Sequence, residues 1–378
     1  MTPVPTTRWP VAASALLLAT ACAALLVPPM ARAQAQASAD PASAPAAAAP
    51  APAGALPAGA VEVDNPEKLK GLKRVVIPAF NVHFLTESRA DVQINGVQVI
   101  TGAPSNVKVT LKGADPARFQ AIADALYDRT VQQLQAAGIE VVPIDQLKAH
   151  PSYAELAQRG DTGPKEEDAS AGKGTFVTAR GLPLIHMDEV SFIQKFEIKL
   201  FGGKKPEDTF LPLSTKLSSG FTAGFVAQAE NKLAKELDAA LLKVRITLLG
   251  GTLDVGHSFW TGKEISTKAA ASLPPLVNRY AFILPNGDRA RIALKQAATS
   301  AELGEMVNVT SAGSQAADVA RNVLNVALIL GGARTSVGYG RSADYEWRVE
   351  PALYERVIDA QTGAVAEAFS QRLKQAVQ

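Results

Sequence analysis

The residues with the clearest potential for chemistry lie between Asp254 and Trp260. The run Asp254-Val255-Gly256-His257-Ser258-Phe259-Trp260 joins a carboxylate, an imidazole, a hydroxyl and two aromatic rings. A hydrolase could use His257 as its general base, with Asp254 orienting the imidazole. The chain has no G-x-S-x-G elbow to supply an activated serine. If the run is a strand, Asp254 and His257 point to opposite faces and do not meet, so an ordinary strand is the favoured interpretation.

The other three histidines give no metal signature. His83, His150 and His186 lack the spacing of a zinc-binding helix, both among themselves and with His257. His83 falls in a predicted strand and is expected in the core or at its rim. His186 has Asp188 and Glu189 nearby, and these carboxylates could raise its pKa. The sequence therefore predicts neither a metal site nor a cofactor.

Two glycine-rich stretches could in principle hold phosphate. In the run Gly172-Lys173-Gly174-Thr175, the glycine that a phosphate-binding loop needs five residues earlier is replaced by Glu167. Residues 331–340 contain four glycines and one cation, and their backbone amides could form an anion nest. A connection or hinge is the favoured interpretation there.

The beginning of the chain predicts export. Arg8 is followed by an apolar run over residues 11–27 and then by small residues up to Ala35. The run is near the lower length limit for a membrane-spanning helix, and the Ala-x-Ala pattern favours a cleaved signal peptide over residues 1–35. Loss of Arg8 and Arg32 would leave equal numbers of basic and acidic side chains. This balance argues against nucleic acid as a partner, and the leader predicts a periplasmic or secreted protein.

The single cysteine of the chain, Cys22, lies inside this leader. The mature protein would then contain no thiol, which excludes disulfides and thiolate metal sites. The alternative is a lipidated Cys22, because Ala19-Thr20-Ala21 places small residues just before it. Such a protein would be an outer-membrane lipoprotein, although Ala19 stands where a large aliphatic residue is usual.

Composition divides the rest of the chain. Residues 36–60 are almost wholly Ala, Pro, Ser and Gly, so a disordered Ala/Pro-rich linker is predicted. With 47% hydrophobic and 20% charged residues overall, the remainder can form a folded body. We predict an α/β layer over 61–160, a loop and amphipathic hairpin insertion over 161–220, and further α/β structure of the same or a second domain over 221–378.

The first of these segments has a strand, helix, strand, short-helix order. Residues 74–84 read as a buried strand, with Pro78 at an edge or a bulge. Asp115 and Pro116 should begin an amphipathic helix that Gly138 ends, before a strand over 139–144. Residues 92–111 are expected to form an inserted hairpin, and Asp145 is expected to cap a short helix.

The later segments mix hairpins with helices. Residues 161–174 are polar and are predicted to be a solvated loop, whereas 190–201 and 209–217 predict a soluble amphipathic hairpin. A helix over 221–240 should pass directly into a strand over 241–249. Asn286-Gly287 predicts a tight turn within a hairpin over 280–294. Residues 351–377 are expected to form two helices separated near Gly363.

These patterns predict an α/β fold, with α+β as the alternative: a mixed sheet with packed helices and inserted hairpins. The order of the elements over 75–80, 116–144 and 232–244 resembles the α/β layer of the N-terminal domain of the translocation protein TolB and of the curli-secretion lipoproteins. The resemblance implies a protein of the bacterial envelope. The weak lipidation signal and long insertions depart from the curli group and put pore formation in doubt.

The function that the sequence predicts is a non-catalytic, secreted binding or assembly component of the cell envelope. Its partner would be an envelope protein or a ligand, and a peripheral association with the outer membrane is left open. One alternative is a periplasmic hydrolase that uses His257 and Asp254. The other is an oligomeric outer-membrane secretion component.

Overall fold

A computed structural model describes residues 56, 59–91, 106–158, 160–161, 163–169, 172–185, 220–258, 262–275, 277–318 and 342–378. The chain divides into two units, residues 1–48 and 49–378, and every described residue belongs to the second. Several predictions lie outside the described residues: the leader with Cys22, most of the linker, His186, the hairpin over 190–217 and the glycine-rich residues 331–340.

The described strands belong to one mixed sheet of thirteen strands. Its main path runs β1-β10-β9-β7-β2-β3-β13-β12, and β4, β5, β6, β8 and β11 pair beside this path. The strands are β1 (Val61–Asp64), β2 (Arg74–Asp91), β3 (Asn106–Lys112), β4 (Glu140–Val141), β5 (Lys165–Ala169), β6 (Gly172–Thr178), β7 (Ala240–Ser258), β8 (Gly262–Leu273), β9 (Arg279–Ile283), β10 (Arg289–Leu294), β11 (Ala298–Thr299), β12 (Glu305–Asn308) and β13 (Ser342–Arg348).

Helices cover both faces of this sheet. They are α1 (Pro66–Leu69), α2 (Phe119–Ala136), α3 (Ile144–Lys148), α4 (Pro151–Ala157), α5 (Gly220–Leu237) and α6 (Pro351–Val377), with 3-10 turns at Pro116–Arg118 and Ala179–Gly181. Residues 312–318 are also helical. Among the described residues, no helix combines the length and apolar character that crossing a membrane requires.

The long strands β2 and β7 lie side by side in the middle of the sheet. They pair in parallel from Val75 opposite Ala240 to Leu85 opposite Leu249. A register shift between Val76 and Ala79 confirms the bulge expected at Pro78. On the other side of β2, β4 pairs with Arg74 and Val75 and β6 pairs from Asn81 onward, so Pro78 lies between these two pairings. A bulge accommodates the missing N–H of proline even in an interior strand.

One face of the sheet packs against α2 and α6. The ring of Phe84 stacks on Phe119 with centroids 4.1 Å apart, and Phe80 meets Tyr127 edge-on at 5.6 Å. Tyr280 meets Phe369 in the same manner at 4.9 Å. Helix α5 covers the opposite face of the sheet. The hydrogen bond from Lys243 of β7 to Glu230 of α5 shows this contact. The result is a helix–sheet–helix arrangement, which confirms the α/β fold class.

The structure also confirms several local predictions. The carboxylate of Asp115 accepts a hydrogen bond from the amide of Ala117, and Pro116 occupies the first helical position. The helix α5 passes into β7 after two residues, and β9 pairs antiparallel with β10 around Gly287, whose φ is 85°. Asp145 lies in the first turn of α3, after Pro143, and does not cap it.

Two further local predictions are wrong. The stretch predicted as a solvated loop contains β5 and the start of β6, because charged side chains on the edge strand β5 reach water while its backbone pairs with β6. The C-terminal residues form one helix of 27 residues and not two. Gly363 lies within it, where an isolated glycine weakens a helix by only about 1 kcal/mol relative to alanine.

Candidate binding site

The pair that the sequence proposed for catalysis lies in one strand. Asp254 and His257 both belong to β7, where they pair in register with Ser266 and Lys263 of β8. Their side chains are outside the described part of the structure. The expectation that the two side chains do not meet therefore stays a prediction.

Among the described residues, no three His, Cys, Asp or Glu side chains are close enough together to hold a metal ion. The strongest concentration of buried polar groups lies elsewhere, on the face of the central sheet that α5 covers. Strand alternation brings together Asn81 and His83 from β2, Lys243, Arg245 and Thr247 from β7, and Arg279 from β9. We call these six residues the inner polar face. Each of them is less than one tenth exposed.

One row of this face carries two guanidinium groups. Asn81 lies opposite Arg245, and Arg245 lies opposite Arg279 on the next strand. Burial, followed by the charge of Arg279, lowers the pKa of Arg245 to about 9, against the opposing effect of Glu167. Both arginines have further interactions within the chain. The row therefore places two guanidinium groups side by side in the interior.

His83 occupies the next row. Its ring stacks on Phe176 of β6, with centroids 3.8 Å apart and planes 11° from parallel. Gly174 permits this packing, because a Cβ there would lie 2.7 Å from Nε2 of His83. Neither ring nitrogen has a hydrogen-bond partner. Burial and the neighbouring Arg245 hold the pKa of His83 well below its usual 6.5, so the imidazole is neutral at pH 7.

Further polar atoms beside His83 lack partners. Oγ1 of Thr247, directly across from His83, and Oδ1 of Asn81 are both buried without a hydrogen bond. The same holds for Oε1 of Glu167, from the edge strand β5. The amide nitrogen of Asn81 does have a partner, since it donates to the carbonyl of Ile185 at 3.1 Å.

Asn278 fixes the backbone beneath Thr247. Its Oδ1 accepts from the Thr247 amide at 2.8 Å, and its Nδ2 donates to the Thr247 carbonyl at 3.2 Å. These two bonds continue the pairing of β7 past Arg279, where the neighbouring strand β9 begins. The position of the Thr247 hydroxyl is therefore set by the backbone, which is fully bonded.

Lys243 is the one cation of the inner polar face with a described ion pair. Its Nζ lies 2.8 Å from Oε1 of Glu230, and both side chains are 2% exposed. Arg289 approaches the second oxygen of Glu230 at 3.7 Å. This group joins α5 to the sheet and satisfies its own charges, so it has a structural role.

Another cluster, at the contact of α4 with α5, contains the residue types of a catalytic triad. The Ser152 hydroxyl donates to Oε2 of Glu236, and Nδ1 of His150 lies 4.0 Å from the same oxygen. In a triad the serine must give its proton to the histidine, which the carboxylate orients. Here the carboxylate takes the serine bond itself. The arrangement joins two helices and does not activate a nucleophile.

A surface groove of about 490 Å³ lies between Leu56, residues 59–61 and α6. Ala364, Ala368 and Arg372 form part of its helical wall. It contains none of the residues that the sequence singled out, and no buried polar atom without a partner lies in it.

Sequence reasoning placed His83 in the core or at its rim, and the structure confirms this position. It missed Arg245, Thr247 and Arg279. A signal was present in the run Lys243-Val244-Arg245-Ile246-Thr247, which alternates polar and apolar residues in a predicted strand that the structure places in the middle of the sheet. Central parallel strands normally have apolar residues on both faces.

Comparison with protein-family models, curated proteins and solved structures finds no match for this chain.

Proposed function

We propose that this protein is a non-catalytic binding or assembly component of the bacterial cell envelope, exported to the periplasm or beyond. The leader-like N-terminus supports the location. The resemblance to TolB-type and curli-secretion domains, although partial, supports the same compartment. The inner polar face supports binding as the activity.

The state of His83 carries the proposal. A general base needs a hydrogen-bonded route to the proton it takes, and a catalytic histidine is normally oriented by a carboxylate or carbonyl. His83 has no such partner, and Arg245 disfavours the cation that it would become. A neutral imidazole among convergent polar groups is suited to recognition, because ligand sites place a few polar groups on an otherwise apolar surface.

A complementation experiment separates binding from hydrolysis. A deletion strain would be rescued with the wild type, with His257→Ala, and with Lys263→Ala as the control for the strand paired opposite. We expect all three to restore the phenotype. Loss of rescue by His257→Ala alone, with normal protein levels, would support the hydrolase and contradict the proposal.

Cell fractionation tests the location. The wild type and Cys22→Ala would be expressed, and the N-terminus of each mature protein determined by mass spectrometry. We expect both to be periplasmic or secreted and to begin near residue 34 or 36. A membrane-bound wild type released by Cys22→Ala would identify a lipoprotein, and an intact leader in the cytosol would refute export.

A second candidate, an oligomeric outer-membrane secretion component, is favoured by one observation. Beyond Leu249, the described pairings of β7 are with β8 alone, and they continue to Ser258. A two-stranded ribbon is only marginally stable by itself, and neighbouring copies could supply further strands. Sizing of the mature protein tests this function, since a monomer in detergent-free buffer would exclude it and rings requiring detergent would support it.

A further inference from the structure

We propose that the groove between β1 and α6 binds an extended peptide segment of a partner protein, which adds to the sheet as a further strand beside β1. This inference rests on the proposed binding function and names the surface and the kind of partner. Two independent features carry it, a sheet edge with free backbone groups and a groove of matching size beside that edge.

The strand β1 lies at one end of the main path of the sheet, and among the described strands it pairs only with β10. The carbonyl of Ala60 accepts from the amide of Lys295, whereas the amide of Leu294 donates to the other side of β10. Because bonded residues alternate in an antiparallel pair, the backbone N–H and C=O groups of Val61 and Val63 point away from β10. No described residue bonds to these groups. Extended peptides bind to such edges by strand addition.

The groove lies on the side to which an added strand would present its side chains. Val63 lies opposite Ile292 and Ile292 lies opposite Tyr280, so these three residues share one face of the sheet. The ring of Tyr280 meets Phe369, so this is the face that α6 covers. A strand added beside Val61 and Val63 would therefore direct every second side chain towards α6.

The dimensions of the groove fit a short extended segment. Its helical wall runs from Ala364 to Gln375, about 16 Å at 1.5 Å per residue, which is the length of about five residues in a strand. Its volume of about 490 Å³ lies within the ordinary range of binding pockets. The side chains of Ala60, Ala364 and Ala368 are small, and a peptide residue that faces them is therefore expected to fit without displacing either wall.

The charged residues of the helical wall specify the partner further. Glu367 and Arg372 lie about 7.5 Å apart along the helix axis, close to the distance of about 6.7 Å between side chains two residues apart in a strand. Gln371 donates to Oε1 of Glu367, and Nη1 of Arg372 donates to Gln375, each at 3.2 Å. One carboxylate oxygen and several guanidinium N–H groups remain for a ligand. The expected peptide has a basic and an acidic side chain two residues apart.

Calorimetric titration of the mature wild-type protein with two synthetic peptides tests the proposal. The probes are acetyl-Thr-Ala-Thr-Lys-Thr-Glu-Thr-amide and the peptide of reversed sequence, because a strand can add in either direction. They alternate small or charged side chains for the groove with threonines that favour a strand. We expect saturable binding of at least one probe. Binding of neither would overturn the proposal.

Methylation of the peptide nitrogens tests strand addition itself. Only alternate N–H groups of an edge strand bond to its neighbour. Methylation of one alternate set should therefore weaken binding by about tenfold or more, and methylation of the other set should leave it unchanged. Equal losses from the two sets would overturn the proposal.

Two alanine positions of α6 locate the site. Ala368→Leu fills the groove and should weaken peptide binding by about tenfold or more. Ala360→Leu is the matched control, because Ala360 is exposed on the same helix outside the groove. It should leave the peptide affinity unchanged, and both variants should keep a Tm close to that of the wild type because leucine is a good helix former. Equal affinities for Ala368→Leu and wild type would overturn the proposal.

Other occupants of the groove give different outcomes. A dimer that Ala368→Leu converts to a monomer would assign the edge to a second copy and overturn the proposal. Peptide binding that is seen only after deletion of residues 36–55 would assign the groove to the linker of the chain itself and would also overturn it. Absence of peptide binding with intact rescue by His257→Ala would reject this surface and retain the binding protein, whereas loss of that rescue would reject the binding protein itself.

Discussion

At the scale of single residues, the buried polar groups of this protein are of two kinds. Lys243 and Glu230 satisfy each other at 2.8 Å, and their burial therefore requires nothing from outside the chain. His83 and Thr247 present polar atoms that the fold leaves unbonded. Leaving such an atom unbonded costs about 1–3 kcal/mol, which a purely structural site would avoid with an apolar residue of the same shape.

The depressed pKa of His83 predicts how stability depends on pH. In the unfolded chain this histidine titrates near 6.5, whereas burial and Arg245 keep its folded pKa well below that value. The unfolded state therefore binds the proton more readily. The contribution of His83 to stability is complete above pH 6.5 and is lost as the pH falls below it, by at most about 1.4 kcal/mol per pH unit.

Urea unfolding of wild type and His83→Phe at pH 7.5, 6.0 and 5.0 measures this effect. The variant should lose less free energy of unfolding than the wild type between pH 7.5 and 5.0. Parallel losses in the two proteins would show that other groups are responsible for the acid sensitivity.

At the scale of elements, α6 remains one helix because of its packing against α2. Arg129 of α2 donates to the carbonyl of Asp359 at 2.9 Å and forms an ion pair with its carboxylate at 2.6 Å. Gly363 leaves room for that guanidinium, since a Cβ there would lie 2.5 Å from Nη1. The glycine that predicted a break is instead a contact point between two helices.

A double-mutant cycle tests this explanation. Gly363→Ala gains about 1 kcal/mol of helix propensity but displaces Arg129 from an ion pair worth about 0–1 kcal/mol. In the wild-type background we expect these effects nearly to cancel. In an Arg129→Ala background, Gly363→Ala should raise the free energy of unfolding by about 1 kcal/mol. An identical effect in both backgrounds would contradict the proposed contact.

At the scale of the whole molecule, distant parts of the chain share one sheet. The strand β2 takes its longest partner, β7, from beyond residue 240, and β1 takes β10 from beyond residue 288. Because these pairings interleave early and late segments, neither part can complete its hydrophobic core alone.

This interleaving predicts cooperative behaviour. The chain from residue 49 to 378 should unfold in urea in one transition that is the same by circular dichroism and by fluorescence. A fragment of residues 61–220 should lack a cooperative transition, since β2 would expose the edge that β7 covers. A fragment with a sigmoidal transition of its own would show that the α/β layer is independent.

Much of the local structure follows from the sequence because its causes are local. Asp115 and Pro116 define the start of a helix by backbone bonding and ring geometry, and Asn286-Gly287 defines a turn by its backbone conformation. The errors also have a local origin. A polar run such as Lys165-Glu166-Glu167-Asp168 has the composition of a loop, and only pairing with β6 makes it a strand.

The sequence by itself determined the alternation of polar and apolar residues along β7, and the α/β class followed from such patterns. The tertiary structure decided which strands stand beside β7, and hence that Thr247 faces His83 and Arg245 faces Arg279. The physical reason is that strand order depends on which apolar faces can be buried together across the whole chain. Residues far apart in sequence become neighbours only when that choice has been made.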